Sequence, residues 1–192
     1  MELYARQGFE ETTVAEIAGR AGVTERTFFR HFADKREVLF GGSSALQDLL
    51  VNAVASAPKA AAPIDAVASA LQATSTVLTD QQYSRKRQAI IVANADLRER
   101  ELIKMATLAS AMAGALRRRG VPEPAASLTA ESGMAVFRIA FERWVAKNNK
   151  KDLARLIRES LAELKALVAE VRPIPGPARH ERRRVRVAEA LL

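Results

Sequence analysis

The chain of 192 residues has no cysteine, two histidines, and aromatic side chains at only 5%. Each scarcity excludes something. Without thiols there are no disulfides, no thiolate metal sites and no cysteine nucleophile, and a reducing, cytoplasmic location is expected. The sequence has no HExxH spacing, no glycine loop that could cradle a phosphate and no nucleophile elbow. The chain is therefore expected not to be an enzyme, and to need no metal and no cofactor. No uninterrupted apolar run approaches the roughly 20 residues of a membrane span. The start, MELYARQGFEE, lacks the basic residues and apolar stretch of a secretory signal. No membrane partner is expected.

What is abundant is alanine, at 37 residues. Alanine has the best helix propensity, whereas strands favour the aromatic and β-branched residues. Hydrophobic residues make up 48%, enough for a buried core. The expected fold is all-α, with helices packed closely through small side chains. Basic residues outnumber acidic ones by 30 to 22, a net charge of +8. That surplus suggests a nucleic acid or another polyanion as partner. It is unevenly placed: residues 1–40 carry net −1, residues 41–170 net +5, and residues 171–192 net +4.

Helix punctuation divides the chain. Thr13-Val14-Ala15-Glu16 fits a capping box, Ala21-Gly22-Val23 a tight turn, and Thr24 a cap for a short helix over Glu25–His31. Asp34-Lys35-Arg36-Glu37 is a second capping-box pattern, opening a longer helix toward Val54. Gly41-Gly42 should bend or break that helix, at a cost of about 2 kcal/mol relative to alanine. Pro58 and Pro63 bracket a linker. Further helices are expected at 64–78, 85–95, 96–119, 125–147 and 151–170, with a loop over 79–84. Arg117, Arg118 and Arg119 before Gly120 would complement the negative end of their own helix. Pro173 to Pro177 should stop the last helix. The expected domains are 1–42, 43–172 and a Pro/Arg-rich tail at 173–192.

Residues 12–32, TTVAEIAGRAGVTERTFFRHF, read as a short capped helix, a glycine turn and a second short capped helix. That is a helix-turn-helix arrangement. Ile17, Val23, Phe28 and Phe32 would form its small core, and the small Ala15 and Ala18 would let the second helix pack across the first. Glu25, Arg26, Thr27, Phe29 and Arg30 would face outward, toward a DNA groove.

The run GFEETTVAEIAGRAGVTERTFFRHFADKREVL resembles the DNA-binding signature of the TetR family of bacterial transcription regulators. The stretch ADLRERELIKMATLASAMAGALRRRGVPEPAASLTAESGMAVFRIAFERWV is similar to a C-terminal domain of mycofactocin-type regulators, for which acyl-CoA-like ligands are proposed. The resemblance implies a homodimer that binds a double-stranded DNA operator, most often as a repressor, and that a small-molecule effector releases. Carried over to this sequence, it implies that Thr13 and Thr24 contact the DNA backbone. Arg26 and Thr27 would reach base edges. Phe29 stands where the family often has tyrosine and could touch a thymine methyl. Arg30, His31 and Lys35 would contact phosphates.

The run matches only the end of the family's first helix. A late start, or a start codon upstream, is therefore expected, with weaker DNA binding than a longer version would have. The alternative is a helical ligand-binding dimer whose DNA binding is impaired.

The ligand pocket is expected among the middle helices, lined by Leu50, Leu71, Thr74, Ile91, Met105, Leu108 and Met112. Plain core is the competing reading of the same residues. Arg85, Lys86 and Arg87 are candidates for a phosphorylated ligand head, or simply a solvated basic helix start. The dimer interface is expected on the last two helices, at Phe137, Phe141, Trp144, Leu156, Leu161 and Leu164. Arg179, Arg182, Arg183, Arg184 and Arg186 of the tail could touch phosphates, an acidic membrane surface, or nothing.

Overall fold

A computed structural model describes residues 1–170, and the expectations for the arginine-rich tail lie outside them. The residues fall into two units, one ending at Leu161 and one beginning at Ala162. The helices are α1 (Glu2–Gln7), α2 (Val14–Arg20), α3 (Glu25–His31), α4 (Ser43–Ser56), α5 (Pro63–Ala73), α6 (Gln81–Ala93), α7 (Ala95–Arg118), α8 (Ala125–Val145) and α9 (Leu153–Glu170). A 3-10 turn over Lys35–Phe40 precedes α4, and another over Thr74–Thr76 extends α5. No strand occurs among the described residues. The fold is all-α, as the alanine content implies.

Helices α4, α5, α7 and α8 pack on one another to form the body. Leu50, Val54, Val67, Leu71, Met112 and Leu116 are buried between them. So are Ala66, Ala70, Ala126, Ala130 and Ala140. Small side chains let the helix axes approach closely. The tightest approach is at Gly133 of α8, where an added Cβ would stand 2.3 Å from Val67 Cγ1 of α5. A second cluster contains Tyr4, Phe9, Leu39, Phe40, Ile91 and Leu97. It seats α1 and the first 3-10 turn against α6 and the start of α7.

Several helix ends depart from the expected pattern. Helix α6 begins at Gln81, because the Asp80 carboxylate accepts from the Tyr83 amide at 2.8 Å. The loop expected over 79–84 is therefore mostly helix. Asp34 does accept from the Arg36 and Glu37 amides, at 2.8 and 3.2 Å. The capping box stays incomplete, because the Glu37 carboxylate is drawn to Arg100 and to Lys104 of α7, the latter at 3.2 Å. The segment is a 3-10 turn and not the start of a long helix.

The expected break at the paired glycines is present, with Gly42 at φ +86° as the residue preceding α4. Lys35–Ser56 has the length and apolarity of a membrane-crossing helix. The glycine break leaves a continuous helix of 14 residues, too short for a hydrocarbon core of about 30 Å at 1.5 Å per residue.

Arg117 and Arg118 lie in the last turn of α7, as expected, but two of the three arginines also bind other segments. Arg117 pairs with Glu123 at 2.6 Å. Arg119 donates to the carbonyls of Ala57 and Pro58, at 2.6 and 2.7 Å, just beyond the last turn of α4. Arg85 acts likewise at the end of α8, donating to Val145 O at 2.7 Å and Ala146 O at 2.9 Å. Carbonyls at a helix C-terminus lack intrahelical donors, and a guanidinium supplies them along with a favourable charge.

Candidate nucleic-acid interface

The reading unit is built from three local devices. The first is the capping box of α2. Thr13 Oγ1 accepts from the Glu16 amide at 3.2 Å, and the Glu16 carboxylate accepts from the Thr13 amide at 2.8 Å. The hydrogen bond from the Thr13 amide, joined by those from Gln7 and the Thr13 hydroxyl, holds the Glu16 carboxyl below its usual pKa range. The second device is the turn. The Val23 amide donates to Ala18 O at 3.0 Å and the Gly22 amide to Gly19 O at 3.1 Å. This is a Schellman closure, and it needs the positive φ of +69° that Gly22 adopts. The third is the cap of α3, where Thr24 Oγ1 accepts from the Thr27 amide at 3.2 Å. The Thr24 and Thr27 hydroxyls also lie 3.1 Å apart.

Beneath α3, Phe28 is buried and its ring centre lies 5.3 Å from that of Phe32. Ala18 is buried with it, while Ile17 and Phe32 are half-buried. Val23 is not part of this core: it is 41% exposed at the turn. On the outer face, Arg26, Arg30 and His31 are exposed. Their side chains form no hydrogen bond or ion pair with the described residues. Phe29 is 54% exposed and stands edge-on to Phe28 at 5.4 Å. Thr13 and Thr24 are exposed at the starts of α2 and α3, and Thr27 is half-buried.

Lys35 departs from its expected role. Its ammonium donates to three carbonyls, of Phe9 at 2.9 Å, Glu10 at 2.8 Å and Thr12 at 3.1 Å. It also stands 4.6 Å from the centre of the Phe9 ring. An ammonium has three donors, and here all three are spent inside the protein. Lys35 fastens the loop between α1 and α2 and is not available to a phosphate.

The residues that brace the reader and join it to the body are not legible in that role from the sequence. Tyr4 donates its hydroxyl to Lys35 O at 2.6 Å. Burial, helped by the Asp34 charge, pushes its pKa up to about 12. Arg20 of α2 pairs with Glu2 of α1. Arg87 of α6 donates to Leu39 O at 2.7 Å, pairs with Glu101 at 3.2 Å, and lies 5.1 Å over the Phe40 ring. Glu37 receives Arg100 and Lys104. Burial disfavours its charge, but these two cations outweigh burial and its pKa lies below the ordinary carboxylate value. The contacts span 14 to 67 residues of chain, so no short-range pattern reveals them.

The expected pocket residues do not enclose a ligand-sized cavity. Leu50, Leu71, Thr74 and Leu108 meet at a slit with Leu46, Met134 and Phe137, too narrow for a water molecule. Met112 is fully buried, and Met105 is half-buried. Ile91 belongs to the other cluster, beside Tyr4 and Phe40. Arg85 and Arg87 are engaged by carbonyls, which leaves Lys86 alone of the proposed phosphate site. The larger space is an open groove of about 770 Å³ between α4 and α7.

The expected interface also needs correction. Phe137, Trp144, Leu156 and Leu161 are buried within the protomer, and Phe141 and Leu164 are half-buried. The large exposed apolar residues of α8 are Leu128 and Ile139, at 64% and 42%. Those of α9 are Leu167 and Val168.

A capped helix-turn-helix with an outward-facing second helix, carried on a helical body, is the architecture of a DNA-binding regulator. Comparison with known proteins agrees. Residues 1–40 match the model of the bacterial regulatory proteins of the tetR family. Residues 61–169, more than half of the chain, match that of the MftR C-terminal domain. The chain belongs to the TetR family, with an MftR-type C-terminal domain. This is a family of regulators, not of enzymes.

Over 73 residues, 38% of this chain, it is 41% identical to the transcriptional regulator TcmR of Streptomyces glaucescens. Over 56 residues, 27% of this chain, it is 41% identical to the protein MftR of Mycobacterium tuberculosis (strain ATCC 25618 / H37Rv). The matched parts are 32% and 28% of those two proteins. Among solved structures, the repressor FadR of Thermus thermophilus, in complex with lauroyl-CoA, superposes with a TM-score of 0.57 at 23% identity. That alignment covers 93% of this chain and 95% of FadR. A TetR-family regulator of Mesorhizobium loti MAFF303099 superposes with a TM-score of 0.54 at 22% identity, over 88% of this chain and 90% of its own. These two show the shared fold.

Proposed function

We propose that the chain is a ligand-responsive transcriptional repressor that binds a pseudo-palindromic operator as a homodimer and is released by an acyl-CoA-like or other apolar effector. The observation that carries the DNA-binding part is the outer face of α3. Arg26, Phe29, Arg30 and His31 are exposed on a helix anchored by Phe28, and Arg26, Arg30 and His31 make no hydrogen bond or ion pair with the described residues. In this reading Arg26 donates twice to a guanine edge, and Thr27 and Phe29 meet neighbouring bases. Thr13, Thr24, Arg30 and His31 contact phosphates.

The homodimer is assigned to the outward side of α8, where Leu128 and Ile139 are exposed. Two α3 helices then stand about 34–36 Å apart, one helical turn of DNA. Such a protein works in the compartment that holds its DNA, here the cytoplasm. The effector reading rests on the MftR-type domain and on the lauroyl-CoA held by FadR.

The test is to select DNA with the full chain and titrate the selected site and a scrambled site at matched salt. The reading expects a two-fold-related pair of half-sites and a clear preference for the selected DNA. Equal affinity for both sites contradicts it, because the basic body alone gives sequence-independent binding. Addition of lauroyl-CoA should lower operator affinity.

A further inference from the structure

We propose that the effector of this protein binds in the outer groove between α4 and α7, and that it is an apolar chain ending in an anionic head held by Arg118. The inference rests on the reading of the body as an effector-binding domain and replaces the interior pocket with a different place.

Four observations carry it. The first is space. The interior slit admits no water, whereas the groove offers about 770 Å³, within the range of roughly 300–1,000 Å³ typical of small-molecule sites.

The second is lining. Ile103 and Val51 supply apolar walls, and Ala106, Ala111 and Gly114 keep the α7 side low. From Ile103 to Arg118 the groove follows α7 for about 22 Å at 1.5 Å per residue. That shape suits a chain and not a compact ring system.

The third is charge. Of the three arginines closing α7, Arg117 is paired with Glu123 and Arg119 is spent on the carbonyls after α4. Arg118 lines the groove and makes no hydrogen bond or ion pair with the described residues. Its Nη1 stands 3.6 Å from where a Cβ on Gly114 would be, so the guanidinium lies along the α7 side of the groove. Asp48 on the α4 side disfavours an anion along that wall. A ligand charged at one end satisfies both.

The fourth is position. Helix α4 follows the paired glycines that end the reader. Helix α7 holds the reader through Arg100 and Lys104 with Glu37, and its Glu101 pairs with Arg87 of α6, which donates to Leu39 O. Ile103, Ala106 and Thr107 lie within a turn of Lys104. A chain lodged between α4 and α7 therefore presses on the two helices that position α3. Its binding energy acts on the DNA-reading geometry to the extent that it differs between a DNA-bound and a released arrangement of the reader.

The experiment uses the full chain and three probes: dodecanoate, dodecanol and lauroyl-CoA. Binding is read by calorimetry, and operator release is read separately. Dodecanoate should bind more tightly than dodecanol, and Arg118→Gln should weaken dodecanoate by about tenfold or more while leaving dodecanol unchanged. Ser110→Trp, at an exposed groove position, should abolish binding of all three, with a circular dichroism spectrum and melting temperature like the parent. Lauroyl-CoA tighter than dodecanoate assigns the anion to a thioester carrier. The reverse assigns it to a free carboxylate, and both support the site.

No binding by any probe overturns the site, as does binding that neither variant weakens. If an effector releases the operator and both variants respond like the parent, the groove is wrong and the regulator reading stands. If the groove binds as described and DNA is unaffected, the site stands and the effector reading of the function fails.

Discussion

Lys35 Nζ and the carbonyl of Thr12 lie 3.1 Å apart, across a separation of 23 residues. With the carbonyls of Phe9 and Glu10 this contact ties the loop before α2 to the segment after α3. The helix-turn-helix is thus closed at its base by one ammonium. A charge-assisted hydrogen bond contributes about 1.5–3 kcal/mol. Lys35→Met should destabilise the chain by at least that much in denaturant unfolding. The slope of log affinity against log salt should not change, whereas loss of a phosphate contact lowers it by about 0.9.

Gly22 at φ +69° has no neighbour within 4 Å of the place a Cβ would occupy. Gly22→Ala therefore meets backbone strain alone, about 1–2 kcal/mol. Gly22→Asn should lose less, because asparagine tolerates this region. Chemical denaturation of the two variants checks the order.

Gly133→Ala poses a different problem, since its Cβ would come within 2.3 Å of Val67 Cγ1. Overpacking costs about 1–3 kcal/mol, partly offset by the better helix propensity of alanine, about 1 kcal/mol. In a Val67→Ala background the clash disappears, and the same Gly133 change should cost little or even stabilise. A double-mutant cycle with no coupling between the two positions contradicts the packing argument.

The sequence made the reader's local chemistry legible and left its anchoring hidden. Thr13, Gly22 and Thr24 act on amides within five residues, so spacing alone reveals them. Lys35, Glu37, Arg85 and Arg119 act on groups brought together only by the fold, and their charge alone suggested phosphate, capping or dipole roles. Helix α6 starts earlier than the sequence pattern predicts, because Asp80 sits in a polar stretch that reads as loop. The pocket residues share the periodic apolar pattern of any bundle core, so Leu71 and Met112 look the same in a cavity or a filled interior. Likewise, Phe137 and Trp144 have the spacing of an interface but are buried within their own protomer.

Glu37 gives the joint between reader and body a pH dependence. Its pKa is lower in the folded chain than its ordinary value of 4.5. Its contribution is therefore complete above that value and disappears as pH falls through the depressed folded pKa. Glu37→Gln should lower stability at neutral pH by about 1–3 kcal/mol, since Arg100 and Lys104 lose a charged acceptor in a half-buried site. It should also flatten the loss of stability below pH 4.5. A parallel acid profile for parent and variant contradicts this assignment.

The central claim is that α3 reads DNA sequence through side chains that the protein leaves free. Arg26→Ala measures it most directly, by titration of the selected operator, a copy altered at the base pair facing Arg26, and scrambled DNA at one salt concentration. The parent should prefer the operator over scrambled DNA by about a thousandfold or more. Arg26→Ala should lose about 1–3 kcal/mol on the operator and discriminate less against the altered copy. Equal losses on operator and scrambled DNA, with discrimination intact, would assign Arg26 to the phosphates and contradict the account.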